Sequence, residues 1–410
     1  MDALLDILSA SNSLADLNAL IRSSPIIYHS FLLAKAPTLV RVMTNELGFE
    51  GARDAAVLAY TRGFTSEDLL DVRIPGTASE YRRLSPPRHG SGAPEACLTS
   101  LPVDTVISMA KLTRAAILIG DIYGAIRFHW FTTAIRRPWS ITPAERRRIA
   151  QALVRYQIII NMNGGTRWEV QDFRDAELLY STVKSLFEPW ELEQVSQMDK
   201  FFGSLCNGLL DCQGKRPGGP KTSGVWVGHV FALGQYCPSL ELWREKLLEA
   251  MALEGPVLLD ELKTPIIGSE PLCGETMEDT LGLFTRLAAS RRFKKAPDGF
   301  VWPTAESAAW AKLVGFDGDS VSSTEPTWAW VQAFEGQEFP RWGMEAGPHS
   351  DITYGGYPVK KEAYSLWRWL GLVFWDQERA KELLGFLDTW VPGWLASYNA
   401  ELGSIIFQNF

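Results

Sequence analysis

"TPAERRRIAQALVRYQIIINMNGG", residues 142 to 165, decides the fold because both ends of a helix and its buried side can be read from it. Thr142, followed by proline and by glutamate three residues later, is a capping box with proline at the first helical position. Apolar residues then recur at i, i+4, i+7 and i+11, namely Ile149, Leu153, Tyr156 and Ile160. This spacing predicts one buried stripe along a long helix that ends before Gly164.

The opposite side of this predicted helix carries arginine. Six arginines and one glutamate lie between residues 136 and 155. If the apolar stripe alone is buried, Arg147, Arg148 and Arg155 face outward, one and two turns apart. That arrangement is compatible with contacts to a phosphate backbone, although such runs are usually solvated helix faces.

Helical signals continue on both sides of this stretch. Asn12 or Ser13 can cap a helix that runs through Ile21, and the "SSP" of residues 23–25 stops it. A second long helix is expected from about Trp168 to Leu186. Alternating strand patterns are few, so the sequence predicts an all-α protein. We expect a large irregular multi-helix domain over residues 51–410, with a short helical segment over residues 1–50.

Composition excludes several classes of protein. The chain has 410 residues, 46% apolar and 21% charged, which is typical of a globular protein with a sizeable core. A net charge of −8 disfavours non-specific duplex binding by the whole surface. The start of the sequence lacks signal-peptide features, and no apolar run reaches the ~18 residues of a membrane span. Five cysteines without a CxxC pair predict no metal site and a reducing, cytoplasmic compartment.

An aromatic-rich stretch, "YSLWRWLGLVFWDQERAKELL", occupies residues 364–384. Aromatic residues at helical spacing are usually core, so we expect these side chains to be buried rather than to form a ligand cage. Asp376 is expected to cap the helix that follows.

Three stretches resemble a known family. They are "LLDILSASNSLADLNALIRSSPIIYHSFLLAKAPTLVRVMTNELG" (4–48), "LFEPWELEQV" (186–195) and "LWRWLGLVFWDQERAKELL" (366–384). Together they resemble a large set of ascomycete proteins described as F-box-like. Part of that set is similar to the fungal arginine-containing cyclodipeptide synthases, enzymes of secondary metabolism. The acidic motif DDxxE that marks those synthases does not occur here.

The resemblance implies a function. Such synthases take arginine and a second amino acid from aminoacyl-tRNAs and close a cyclo(Arg-Xaa) diketopiperazine, without a cofactor. An aminoacyl ester is already activated, which agrees with the absence of the ATP-binding motif GxxxxGK[ST] from the sequence. A base must deprotonate the attacking amine, and carboxylates must hold the arginine guanidinium.

Two acidic groups provide candidates for these roles, although acidic helix faces are more often solvated or dipole-stabilised. "WEVQDFRDAELL" supplies the catalytic candidates Asp172, Asp175 and Glu177. "GETMEDT" supplies the substrate-binding candidates Glu275, Glu278 and Asp279. Arg147, Arg148 and Arg155 are the candidates for tRNA binding.

The alternative is a non-enzymatic interaction protein. Under this interpretation, the F-box-like helical segment at residues 1–50 binds a Skp-type ubiquitin-ligase adaptor, and the rest of the chain recognises another partner. Exposure of Leu4, Leu8, Leu17 and Leu20 would favour it, and their burial against the rest of the chain would argue against it.

Overall fold

The computed structural model describes residues 2–64, 70–85, 96–135, 140–162, 173–188, 190–195, 197–198, 201–202, 240, 326–330, 353–354, 357–358 and 371–383. Chain contacts divide the protein into two compact units. The first comprises Met1–Trp302 with Ser322–Thr324, and the second comprises Pro303–Val321 with Glu325–Phe410.

The described part of the first unit is helical, as the sequence predicts. Its helices are α1 (Asp2–Ser9), α2 (Leu14–Ser23), α3 (Pro25–Leu33), α4 (Lys35–Thr61), α5 (Leu70–Leu84), α6 (Ala96–Thr99), α7 (Val103–Ile135), α8 (Pro143–Met162) and α9 (Phe173–Leu186). Shorter helical pieces lie at residues 190–195, 197–198 and 201–202. The fold class is all-α. The expected boundary at residue 50 falls inside α4.

Serine side chains set the ends of the N-terminal helices. Ser13 is the N-cap of α2, and its hydroxyl accepts a hydrogen bond from the backbone N–H of Asp16. Ser24 ends α2 and caps α3, with Pro25 at the first position of α3. The predictions of a cap at Ser13 and a stop at residues 23–25 are therefore confirmed.

Helices α4, α7 and α8 pack against one another and form the centre of the first unit. Two glycines, on α4 and α7, make room for side chains of α8. A Cβ at Gly51 would lie 2.9 Å from Nε2 of Gln151, and one at Gly120 would lie 3.1 Å from Cγ2 of Ile149. Helices α1, α2 and α3 pack on α4, while α5 packs on α4 and α9.

The capping box at the start of α8 is confirmed. The backbone N–H of Thr142 donates to Oε2 of Glu145 at 2.9 Å, and the N–H of Glu145 donates to Oγ1 of Thr142 at 3.2 Å. The predicted stripe is buried too, since Ile149, Leu153, Tyr156 and Ile160 are at most 3% exposed.

The outward orientation predicted for the arginines of α8 is wrong. Every side chain from Arg148 to Ile160 is buried, including Arg155 on the face opposite the stripe. Arg147 is half-buried. The physical reason is that α8 is covered by α4 and α7, by α5, and by the aromatic pieces after residue 190, so its polar face also meets protein.

The described part of the second unit contains a compact aromatic core. Gly371 adopts a left-handed conformation (φ 69°) before a 3₁₀ turn at Leu372–Phe374. The backbone carbonyl of Asp376 accepts the first helical hydrogen bond, from the N–H of Ala380, so a helix over residues 377–383 begins where the sequence predicts. The expected helical spacing is thus interrupted between residues 371 and 376, although the expected burial holds for residues 372–375.

Two further elements are described in the second unit. The short strands β1 (Thr353–Tyr354) and β2 (Tyr357–Pro358) form an antiparallel pair. The hydroxyl of Thr327 donates to the carbonyl of Val373 at 3.1 Å and joins residues 326–330 to the 3₁₀ turn. Among all described helices, none is long and apolar enough to cross a membrane.

Candidate functional site

A buried ionic cluster lies between α4, α8 and the helical piece at residues 190–195. Nε of Arg155 donates to Oδ2 of Asp54 at 2.7 Å, and Nη2 donates to Oε1 of Glu191 at 2.8 Å. The side chains of Arg155 and Asp54 are 2% and 0% exposed. One guanidinium therefore bridges two carboxylates in the protein interior. We call these three residues the Arg155 cluster.

Local sequence places two members of the Arg155 cluster, Arg155 and Glu191. The capping box at Thr142 fixes the start of α8 and therefore the side on which Arg155 lies. Glu191 follows a second capping pattern, "EPWE", in which its Oε2 accepts the backbone N–H of Glu188 at 2.9 Å. The carbonyl of Glu188 in turn accepts the N–H of Leu192, the first helical hydrogen bond of that piece.

Aromatic rings surround the cluster. The guanidinium of Arg155 lies 5.8 Å from the ring centroid of Phe187, and that ring meets Tyr81 edge to face at 5.7 Å. On the other side of Tyr81, the guanidinium of Arg53 lies 5.4 Å from the ring centroid. Arg53 also approaches Asp54 at 3.7 Å. This packing excludes water from the ion pairs and strengthens them.

Burial and charge shift the ionisation of these groups. Burial alone would lower the pKa of Arg155, but the carboxylates of Glu191 and Asp54 outweigh it and raise that pKa above the ordinary value. Burial raises the pKa of Glu191, and Arg155 opposes this shift. Burial, helped by the negative charge of Asp54, raises the pKa of Tyr81 well above 10, so its phenol stays neutral at physiological pH.

The carboxylates of the Arg155 cluster are already occupied within the protein. Two carboxylates that converge on one guanidinium are the recognition element an arginine substrate would need, but here an internal arginine fills it. Both oxygens of Glu191 are engaged, by Arg155 and by the N–H of Glu188. The Arg155 cluster therefore holds the helical piece at residues 190–195 against the centre of the first unit.

A line of polar contacts extends the cluster along α4 and α8. The side-chain amide of Gln151 donates to the carbonyl of Leu47 at 2.8 Å, and that of Asn161 donates to the hydroxyl of Thr61 at 3.0 Å. Residues 47, 54 and 61 of α4 contact residues 151, 155 and 161 of α8 in the same order, so the two helices run in the same direction.

The predicted acidic sites lie mostly outside the described residues. Asp172 and the group Glu275, Glu278 and Asp279 are outside them. Asp175 and Glu177 lie on α9, which packs on α5. The predicted tRNA-binding set is brought together on α8, but Arg155 and Arg148 are 2% and 6% exposed.

Sequence reasoning missed Asp54 and Glu191. Asp54 has no sequence neighbour that marks it, because its partner lies 101 residues away. Glu191 could have been found, since "EPWE" repeats the pattern of proline followed by glutamate two residues later that "TPAE" shows at the start of α8. That pattern locates Glu191 and its capping hydrogen bond. The partner of its other carboxylate oxygen, Arg155, is set by tertiary packing.

The N-terminal helices hide one apolar face and expose another. Leu8 and Leu17 are buried, and Leu4 and Leu20 are half-buried, which counts against an adaptor contact through these leucines. Five other large apolar side chains are exposed by 45% to 69%: Ile7, Ile26, Tyr28, Leu32 and Leu33. We call these five the N-terminal apolar surface.

Within the described residues, no group of three or more His, Cys, Asp or Glu side chains is placed to hold a metal ion. No protein-family model, no curated protein and no solved structure matches this chain.

Proposed function

We propose that this protein is an arginine-containing cyclodipeptide synthase that acts in the cytoplasm. It would condense arginine with a second amino acid, both supplied as aminoacyl-tRNAs, into a cyclo(Arg-Xaa) diketopiperazine. The observation that supports the proposal is the resemblance of residues 4–48, 186–195 and 366–384 to the ascomycete F-box-like set, part of which is similar to those synthases. The cytoplasm is where charged tRNAs are available.

The structure narrows which residues could serve this reaction. Asp54 and Glu191 already hold Arg155, so the guanidinium of the substrate requires other carboxylates. We assign that role to Glu275, Glu278 and Asp279, and proton transfer to Asp172, Asp175 and Glu177. The tRNA is not assigned to Arg148 and Arg155, because buried side chains cannot reach a phosphate backbone.

The first expected result is a product. The full chain expressed in a heterologous host should release an arginine-containing diketopiperazine, detected by mass analysis of the medium. The purified protein should form it only with charged tRNA, and RNase should stop it. The double variant Asp172→Asn/Asp175→Asn should abolish product formation, because an amide cannot act as a general base. Glu278→Gln/Asp279→Asn should abolish arginine incorporation, because an amide cannot pair with a guanidinium as a carboxylate does.

The matched control is a pair of exposed acids elsewhere, Asp71 and Asp104. Asp71→Asn/Asp104→Asn removes the same charge and should leave product formation unchanged. Circular dichroism should show that all three double variants are folded. Absence of the product from the wild-type chain would refute the synthase proposal, and full activity in both acidic double variants would refute the residue assignment.

A second candidate function is protein docking, and the N-terminal apolar surface favours it. Ile26 and Leu33 are 68% and 69% exposed on α3, which also exposes Tyr28 and Leu32. Among the described residues, each of the other helices exposes at most one large apolar side chain. Since residues 4–48 resemble the F-box-like set, we propose a Skp-type adaptor as the occupant of this surface.

This candidate predicts a measurable complex. The purified chain should bind a Skp-type adaptor in calorimetry, and Ile26→Ser/Leu33→Ser should weaken binding by at least about tenfold, as hot-spot losses typically do. Val72→Ser/Val103→Ser is the matched control, because these residues are 55% and 48% exposed on α5 and α7. No binding by the wild-type chain, or equal losses in both double variants, would contradict docking at this surface.

A further inference from the structure

Helix α4 is interrupted at Gly48, and two side chains of α8 occupy the break. Gly48 has φ 78° and ψ 166°, a backbone conformation that is essentially restricted to glycine. An interruption of this kind leaves the carbonyls just before it without helical partners. Nη2 of Arg147 donates to the carbonyl of Asn45 at 2.9 Å, and Nε donates to the carbonyl of Glu46 at 3.2 Å. Gln151 holds the next carbonyl, that of Leu47, at 2.8 Å.

The residues held by Arg147 in turn hold the N-terminal helices. The side-chain amide of Asn45 donates to the carbonyls of Ser9 and Ser11, both at 3.0 Å. Oε2 of Glu46 accepts the backbone N–H of Leu14, the first residue of α2, at 3.0 Å. Hydrogen bonds therefore run without a gap from α8, through residues 45 and 46, to the turn between α1 and α2.

We propose that Gly48 is a hinge and that Arg147 with Gln151 is the clamp that locks it. The clamp sets where α1, α2 and α3 sit relative to α7 and α8, and with them the N-terminal apolar surface. Releasing the clamp would free residues 2–47 as a unit, while α7, α8 and the part of α4 after Gly48 stay folded. The proposal rests on these contacts alone and holds whichever of the two candidate functions is correct.

The chemistry of Arg147 suits a clamp better than a surface charge. Its planar guanidinium reaches two successive carbonyls at once, which a lysine ammonium on a flexible stem does less well. Burial lowers its pKa from the ordinary value, because the charged group gives up water where it makes these contacts. The neighbouring Arg146 is different, since it is exposed and pairs with Asp121 at 2.7 Å across to α7.

Hydrogen exchange of the full chain, followed by mass spectrometry, tests the clamp. Arg147→Ala should raise amide exchange in residues 2–47 by about tenfold or more, as expected from losing hydrogen bonds to a charged donor. Exchange in α7 and in residues 149–160 should stay unchanged, because one cooperative unit can open while the others remain closed. Arg146→Ala is the control and should change neither region.

Two results would overturn the proposal. Unchanged exchange in residues 2–47 of Arg147→Ala would show that the clamp does not hold these helices. An equal rise in residues 2–47 and in α7 would show a general loss of stability instead of a hinge. If Arg147→Ala cannot be obtained folded, Arg147→Lys keeps the charge and most of the stem; it should give the same localised rise with a smaller size, and failing to do so would also count against the clamp.

Discussion

Replacing Arg155 with methionine should lower the free energy of unfolding of the first unit by about 3–5 kcal/mol, the usual cost of breaking a buried ion pair from one side. Methionine has a similar length and no charge, so the packing against Phe187 is largely kept. What is lost is the cation between Asp54 and Glu191, whose side chains are 0% and 11% exposed. Two buried carboxylates would then face each other without the cation that bridges them. Denaturant unfolding followed by circular dichroism measures the loss.

The cause can be separated from simple loss of volume. The triple variant Arg155→Met/Asp54→Asn/Glu191→Gln removes all three charges, and it should recover part of the stability lost in the single variant. Arg146→Met is the control on the same helix. Its pair with Asp121 is 44% and 38% exposed, so the change should cost only about 0–1 kcal/mol. An Arg155→Met variant as stable as Arg146→Met would show that the cluster is not closed in solution.

Local signals in the sequence were sufficient wherever the cause of a structure is local. The caps at Ser13 and Thr142 involve side chains and backbone groups three residues apart, so the pattern and the bond coincide. The same holds for the helix that begins after Asp376. Burial of the stripe on α8 also follows from its spacing, because a long amphipathic helix must cover its apolar side.

The arginine face of α8 could not be predicted from its own spacing. The spacing tells which side of a helix is apolar, but not how many neighbours surround the helix. Arg155 is buried because Asp54 and Glu191 come to it from positions 101 residues before and 36 residues after, and neither is marked by a local pattern as its partner. A hint did exist in Ile158, Ile159 and Ile160, since three consecutive apolar residues leave no polar face at that end of the helix.

The hinge at Gly48 is a similar case. Nothing in "NELGFEG" distinguishes a glycine that interrupts a helix from one that only allows close packing, and the two glycines of this stretch do one each. The difference is made by α8, which supplies Arg147 and Gln151 to the carbonyls before Gly48 and a close contact to Gly51. The different roles of Gly48 and Gly51 are therefore determined by tertiary packing and not by the local sequence.

Trp375→Ala should destabilise the second unit by about 3–5 kcal/mol, the range for removing a large aromatic side chain from a core. Trp375 is 0% exposed, its ring meets Phe374 at 6.3 Å, and the guanidinium of Arg379 lies 5.9 Å from its centroid. Glu378→Ala, on the exposed side of the following helix, is the control and should change stability by less than about 0.5 kcal/mol. Thermal unfolding followed by tryptophan fluorescence measures the stability of both variants.

A Trp375→Ala variant that keeps its melting temperature but loses diketopiperazine formation would contradict the core role and place this aromatic stretch at a ligand instead. A lower melting temperature of the second unit, with the rest of the chain still folded, is the expected outcome, because the 3₁₀ turn that directly precedes Trp375 is tied to Thr327 within the same unit.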